Sequence, residues 1–263
     1  MKKLSSIAAA LFIFIGSSAV ASVTTDVVTM PKLAQLDQHF TASKRVAAIF
    51  TRGHYLQVKI DDELSAKVFE RYLDSLDYYH NVMLKSDIDA FAQYKFQFDD
   101  AIQKGQFDFA FQMFNLSLQR RAERFDYAIS LLEQPFDFNV PDQYEYERED
   151  APWATDLAQL NELWRQRVKF DALNLKLTGK NPEEIKDLLL KRYKSAKKRL
   201  AQTESEDVFQ LVLNSYARSI EAHTSYLSPR NADRFQQEMN LSLEGIGAVL
   251  QLDDDYTVIQ SLV

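Results

Sequence analysis

The chain has 263 residues, enough for one or two domains with a real core. Hydrophobic residues make up 46%, which excludes a disordered acidic tail, and a net charge of −7 argues against nucleic acid as the main partner. Six glycines and six prolines are few for an all-β chain, so a mainly α fold is expected. The absence of cysteine removes disulfides, thiolate metal sites and a cysteine nucleophile.

Residues 1–21 read as a secretory signal. Lys2 and Lys3 form its positive start, Ile7 to Ile15 its short apolar run, and Ala19-Val20-Ala21 its cleavage pattern. Ser22 is the first mature residue on this reading. The apolar run is well short of the ~20 residues that span a bilayer. No later segment is apolar enough to span, so a periplasmic location with no transmembrane segment after signal removal is expected.

From about residue 40 to 223 the apolar spacing is helical. Val46, Ile49, Phe50 and Leu56 mark a first helix that Gly53 interrupts. Leu64, Val68, Tyr72, Leu73 and Leu76 mark a second. Ser86-Asp87-Ile88-Asp89 predicts a cap, with Phe91, Phe98 and Ile102 continuing that helix to a break at Gly105. Phe107, Phe111, Phe114, Leu118, Phe125, Ile129 and Leu132 recur at helical steps and predict one long amphipathic helix, stopped by Pro135. This aromatic stripe reads as packing core, because no polar anchoring group repeats with it.

Residues 135–152 carry two prolines before an acidic run and predict an extended connection with one short strand. Helix resumes near Pro152 and carries Leu157, Leu160, Trp164 and Val168 to Leu177. Asn181-Pro182-Glu183-Glu184 reads as N-cap, proline at N1 and two acids in the first turn. The lysines and arginines between Lys186 and Arg199 read as a solvated face, with cations where the helix dipole favours them. Ser205 reads as the cap of a further helix that His223 ends.

The pattern then changes. Leu243-Glu244-Gly245-Ile246-Gly247-Ala248-Val249 places two glycines around one apolar residue before an extended run to Leu252. A turn of this kind can aim successive N–H groups at one point, which suits a carboxylate. A strand edge directly after it could pair with an extended peptide. The plain alternative is a loop entering a strand. Asp253-Asp254-Asp255 reads as a hairpin turn rather than a calcium loop, lacking EF-hand spacing and glycine. The β pattern is too short to close a domain and reaches Val263 without a turn, so further chain is expected.

The catalytic inventory is thin. His39, His54, His80 and His223 are scattered, with no HExxH and no i, i+4 pair. No nucleophile elbow, phosphate loop or dinucleotide fingerprint occurs. No catalytic residue, metal site or cofactor follows from these residues.

Ser219-Ile220-Glu221-Ala222-His223-Thr224-Ser225-Tyr226-Leu227-Ser228-Pro229, followed by Leu243 to Ala248, resembles the carboxyl-terminal processing proteases, in their periplasmic tail-specific branch. Leu73-Asp74-Ser75-Leu76-Asp77-Tyr78-Tyr79 resembles the helical segment of that branch. Glu221-Ala222 departs from the Asp-Pro common there. The resemblance implies a helical N-terminal domain at 22–235 and the start of an incomplete, β-rich PDZ-like domain at 236–263. It implies a serine endopeptidase that recognises apolar C-termini, with a serine nucleophile and a lysine base beyond this chain. Catalytic roles therefore fall on no residue here, Ser225 and Ser228 included. Gly245, Ile246, Gly247 and Ala248 match the carboxylate-binding loop. Val249, Leu250, Gln251 and Leu252 match the strand that pairs with substrate. Leu243, Ile246 and Leu250 either line the terminal pocket or pack a core. The implied partners are C-terminal tails of periplasmic proteins, and the helical domain either caps the active site or also recruits an adaptor protein. The rival reading is a non-enzymatic periplasmic helical binding or adaptor protein.

Overall fold

The computed structural model describes residues 28–56, 58–240, 246–253 and 256–263. The signal segment and its cleavage site lie outside the described residues, as do Leu243, Gly245, Asp254 and Asp255.

The elements form where side chains satisfy the open ends of helices and apolar residues share one face. Helix α1 spans Asp37–Ala48 and runs into a π-turn at Ile49–Gly53. The helix therefore starts well before Val46, and Leu56 lies outside it. Helix α2 spans Asp62–Asp77, and the Asp61 carboxylate accepts the Leu64 N–H at 3.2 Å. Its apolar stripe, Leu64, Val68, Tyr72, Leu73 and Leu76, is buried as its spacing predicts.

Helix α3 is Lys85–Phe91 and helix α4 is Phe98–Lys104. The predicted single helix is thus two, separated by a 3₁₀ turn at Ala92–Tyr94. The α3 cap also lies earlier than Ser86. Leu84 is the N-cap, and the Asp87 side chain reaches back to accept the Leu84 N–H at 3.1 Å. Gly105 ends α4 with φ 78°.

Helix α5 spans Asp108–Leu131 and α6 spans Leu157–Leu177. Between them the segment 135–152 contains no strand; a single parallel bridge joins Leu84 to Ala154 just after it. Helix α7, Pro182–Ala201, has the predicted cap: Asn181 accepts the Glu184 N–H and Glu184 accepts the Asn181 N–H, both at 2.9 Å. Helix α8 is Ser205–Ile220; its N-cap is Glu204, and Ser205 is its first helical residue. Helix α9 is Pro229–Met239. Strands β1, Ala248–Asp253, and β2, Tyr256–Leu262, pair antiparallel. The fold is mainly α, with a two-stranded sheet after the helices.

Two apolar clusters organise the helices. The first gathers α2, α4, α8 and the N-terminal half of α5, with Tyr72, Phe98, Phe107, Phe209 and Tyr216 at its centre. The second gathers the C-terminal half of α5 with α6 and α7, through Ala128, Leu160, Trp164, Leu189 and Tyr193. Helix α5 belongs to both, so one aromatic stripe serves two cores. No helix among the described residues is long and apolar enough to cross a membrane.

Candidate peptide-binding site

The approach to the glycine loop is built from α8 outward. Asn214 brackets Tyr226: its Oδ1 accepts the Tyr226 N–H at 2.8 Å and its Nδ2 donates to the Tyr226 carbonyl at 3.1 Å. Burial, and then the Glu206 charge, push the Tyr226 phenol up to about 12. The Tyr226 ring meets Phe209 edge-on with centroids 5.7 Å apart. One helical turn before Asn214, Gln210 Oε1 accepts the Ser228 N–H at 2.7 Å and Asn231 Nδ2 at 2.8 Å. Pro229 then opens α9 with its φ preset for a helix. The sequence reading did not single out Asn214 and Gln210. Their only signal is two amides four residues apart on one helix face.

His223 lies beyond the end of α8 rather than at it, because the cap is Glu221. The Glu221 carboxylate accepts the His223 N–H at 2.9 Å, lies 2.7 Å from its Nδ1 and accepts the Thr224 hydroxyl at 3.1 Å. The His223 hydrogen bond is the main reason the Glu221 carboxyl sits below its ordinary value. His223 thus has a local turn partner. An acid at 221 thus closes the turn in this chain.

The other histidines have packing roles. The Leu36 N–H donates to His39 Nδ1, which leaves Nε2 to donate to Glu206 at 2.9 Å. The His39 ring is buried and stacks on Phe209 at 4.1 Å. His80 follows α2 with φ 48° and stacks on Trp153 at 3.5 Å. His54 Nε2 lies 3.2 Å from the Thr224 hydroxyl. Among the described residues no group of three or more histidine, aspartate or glutamate side chains could hold a metal ion.

Of the loop itself, Ile246, Gly247 and Ala248 are described and Gly245 is not. Gly247 has φ 69°, the left-handed region that a side chain disfavours. A Cβ placed there would meet nothing within 4 Å, so the demand for glycine comes from backbone conformation and not from crowding. The Gly247 carbonyl accepts the Val263 N–H at 2.8 Å, which ties the loop to the end of β2. Ile246 is 79% exposed. Val249, Leu250 and Gln251 follow on β1 and are exposed, and the Leu252 main chain pairs opposite Thr257. β2 occupies one edge of β1; among the described residues the other edge has no strand beside it. The structure thus brings Ile246 to Leu252 together as one loop and strand. Leu243, proposed for the same pocket, lies outside the described residues.

The chain matches the family described as the tail specific protease N-terminal domain over residues 46–230. It is also similar to a tail-specific protease of Haemophilus influenzae, 45% identical over 237 residues. That alignment covers 90% of this chain and 34% of the relative, so the chain spans about a third of the relative's length. The helices that carry the two cores, and the Glu221 to Pro229 segment that leaves them, fall within the matched region or at its edge. The chain belongs to the tail-specific protease family and carries that family's helical N-terminal domain.

Proposed function

We propose that this chain is the N-terminal portion of a periplasmic serine endopeptidase that selects proteins by their apolar C-termini. Residues 22–235 form its helical domain, and residues 236–263 begin a PDZ-like module. The N–H groups of Gly245, Ile246, Gly247 and Ala248 hold the client carboxylate. The client backbone pairs with the open edge of β1, and Leu243, Ile246 and Leu250 contact its last side chain. The nucleophilic serine and the lysine that takes its proton lie outside residues 1–263. That lysine must be neutral to act, so burial must lower its pKa.

The single observation that supports this reading is the conjunction of a left-handed Gly247 with a strand that, among the described residues, has a neighbour on one edge only, in a chain of this family. Carboxylate capture of this kind requires a backbone that turns successive N–H groups inward, followed by a strand that can accept a partner.

The test compares hydrolysis by the intact protein and by residues 1–263 alone. Substrates are peptides ending in a free apolar carboxylate or in its amide. The intact protein is expected to cleave the carboxylate form and spare the amide. Gly247→Val costs about tenfold in kcat/KM in the intact protein, since a side chain in the left-handed region costs ~1–2 kcal/mol. The isolated chain is expected to give no turnover. Equal cleavage of the amide would overturn the carboxylate loop; turnover by the homogeneous isolated chain would overturn the placement of the dyad.

A further inference from the structure

A cleft that the protease reading does not use lies where the end of α2 and the turn after it meet α5, α6 and the segment 144–146. It encloses about 410 Å³, within the ~300–1,000 Å³ range of small-molecule sites. Five aromatic rings follow one another along it. Tyr78 lies 5.1 Å from Tyr79, Tyr79 6.4 Å from Tyr146, Tyr146 6.4 Å from Phe170 and Phe170 5.4 Å from Tyr144, centroid to centroid. Tyr78, Tyr79, Tyr146 and Phe170 are exposed and Tyr144 is half-buried. Rings drawn from three parts of the chain and left open to water as one surface mark a contact site, not a core.

The polar lining is Asp77, Asn81, Arg121, Arg167 and Asp171. Arg121 donates to the Leu76 carbonyl at 2.6 Å, and Arg167 lies 4.6 Å from the Trp164 ring centre. Both guanidiniums thus rest on uncharged partners and keep further donors. Burial lowers the Arg121 guanidinium, against the opposing charge of Asp77. Asp171 Oδ2 accepts the Tyr193 hydroxyl at 2.7 Å, while Oδ1 has Arg192 at 3.8 Å. Charge decides the class of ligand. Two arginines and two aspartates cancel within the lining. The segment that carries Tyr144 and Tyr146 is acidic, with Glu145, Glu147, Glu149 and Asp150 against Arg148, so an anion is repelled at the mouth. A cation would sit against Arg121 and Arg167. A wholly apolar molecule would take these polar groups out of water with nothing in return.

A neutral molecule with apolar faces and polar edges meets all three conditions. A pyranose ring is built this way: its C–H face suits the negative face of an aromatic ring, and each hydroxyl donates once and accepts twice. The main chain of the turn wall favours a sugar over a peptide. Asp77 already accepts the Asn81 and Val82 N–H groups, at 2.9 and 3.1 Å, and the Asn81 carbonyl accepts the Trp164 indole at 2.6 Å. That wall therefore offers no ladder to an extended chain, and a sugar needs none. We propose that this cleft binds a neutral oligosaccharide, its rings laid on Tyr79, Tyr146 and Phe170 and its hydroxyls bonded to Asn81, Arg121, Arg167 and Asp171.

Cellotriose, maltotriose and triacetylchitotriose are the probes, each titrated into the intact protein by calorimetry. At least one is expected to saturate a single site. Deacetylated chitotriose carries amines and trigalacturonate carries carboxylates; each should bind about tenfold more weakly than the best neutral trisaccharide. Tyr146 is 66% exposed, so the fold does not depend on it. Tyr146→Ala should weaken the best trisaccharide about tenfold, the worth of a stacked ring, while Tyr146→Phe keeps its affinity. Both variants should hydrolyse a peptide at the unaltered rate. Arg167→Met should weaken the neutral sugar and narrow its advantage over deacetylated chitotriose. The proposal is overturned if no neutral trisaccharide saturates, if a charged one binds as tightly, or if Tyr146→Ala leaves the affinity unchanged. Displacement of the sugar by an equal concentration of acetyl-trialanine amide would also overturn it, since main-chain recognition would then be at work.

Discussion

At the scale of single residues, glycines separate into positions fixed by contact and positions fixed by conformation. Gly105 has φ 78°, and a Cβ there would sit 2.8 Å from the Phe40 carbonyl oxygen and 3.0 Å from Ser43 Oγ. Gly179 has a similar φ, 86°, but nothing lies within 4 Å of a Cβ. Gly105→Ala is expected to destabilise the fold by about 3 kcal/mol, combining ~1–2 for the left-handed backbone with ~1–3 for overpacking. Gly179→Ala should cost only the first of these, about 1 kcal/mol. Urea denaturation of the two variants side by side measures the difference, and equal losses would contradict the crowding at Phe40. The sequence showed Gly105 as a break, because a helix needs such a residue after its last turn. It could not show the close approach of α1, which depends on a contact some sixty positions away in the chain. Asp77 teaches the same lesson. Its carboxylate accepts the N–H groups of Asn81, Val82 and Met83 and the Trp153 indole, the last from 76 residues away. Nothing local distinguishes this acid from its exposed neighbours.

At the scale of elements, the readable features are those whose causes are local. The α7 cap was legible because all its parts lie within four consecutive residues. The α3 cap was displaced because Asp87 acts from inside the helix, back toward Leu84. The 135–152 connection was legible only as the absence of period, because ionic contacts to α6 hold it. Asp142 lies 2.5 Å from both Arg165 and Lys169, and Lys169 also donates to the Val140 carbonyl at 2.7 Å. Hydrogen bonds from Arg165 first, and Lys169 second, hold the Asp142 carboxyl at about 2, below the ordinary 3.8. A lowered carboxylate pKa favours the folded arrangement above the ordinary value and loses that contribution as pH falls through the folded one. Amide protection around residues 139–143 should therefore be steady above pH 3.8 and decline toward pH 2. Asp142→Asn should show the reduced protection already at neutral pH. Protection independent of both pH and the substitution would mean that the ion pairs do not anchor the segment.

At the scale of the whole molecule, α5 is the shared member of two cores. Its first half packs Phe111, Phe114 and Leu118 into one, and its second half packs Ala128 into the other. The stripe from Phe107 to Leu132 announced one long helix in the sequence. It could not announce two clusters, because the division depends on which helices return to which half. Trp164 is 2% exposed in the second cluster, and its indole N–H donates to the Asn81 carbonyl. Trp164→Ala is expected to cost about 3–5 kcal/mol. If the clusters open separately, hydrogen exchange in α6 and α7 should accelerate while α2 and α8 keep their protection. A uniform acceleration would show a single cooperative unit instead. The loop and hairpin were legible at this scale as a change of pattern after α9, since glycines and alternating apolar residues depart sharply from helical spacing. The amide clamps at Asn214 and Gln210 that lead the chain there were not.

The register of the hairpin carries one more consequence. Val249 sits opposite Ser261 and Leu250 opposite Ile259, so Gln260 is skipped and the irregularity lies in β2. An extra residue bends and overtwists the strand that contains it. β1 keeps its even two-residue rhythm. The two outer rims of this ribbon are therefore unlike. One is a straight template onto which a further chain can be laid in regular alternation, and the other is kinked and disfavours growth on that side. The ribbon's own backbone thus makes its two sides unequal as templates.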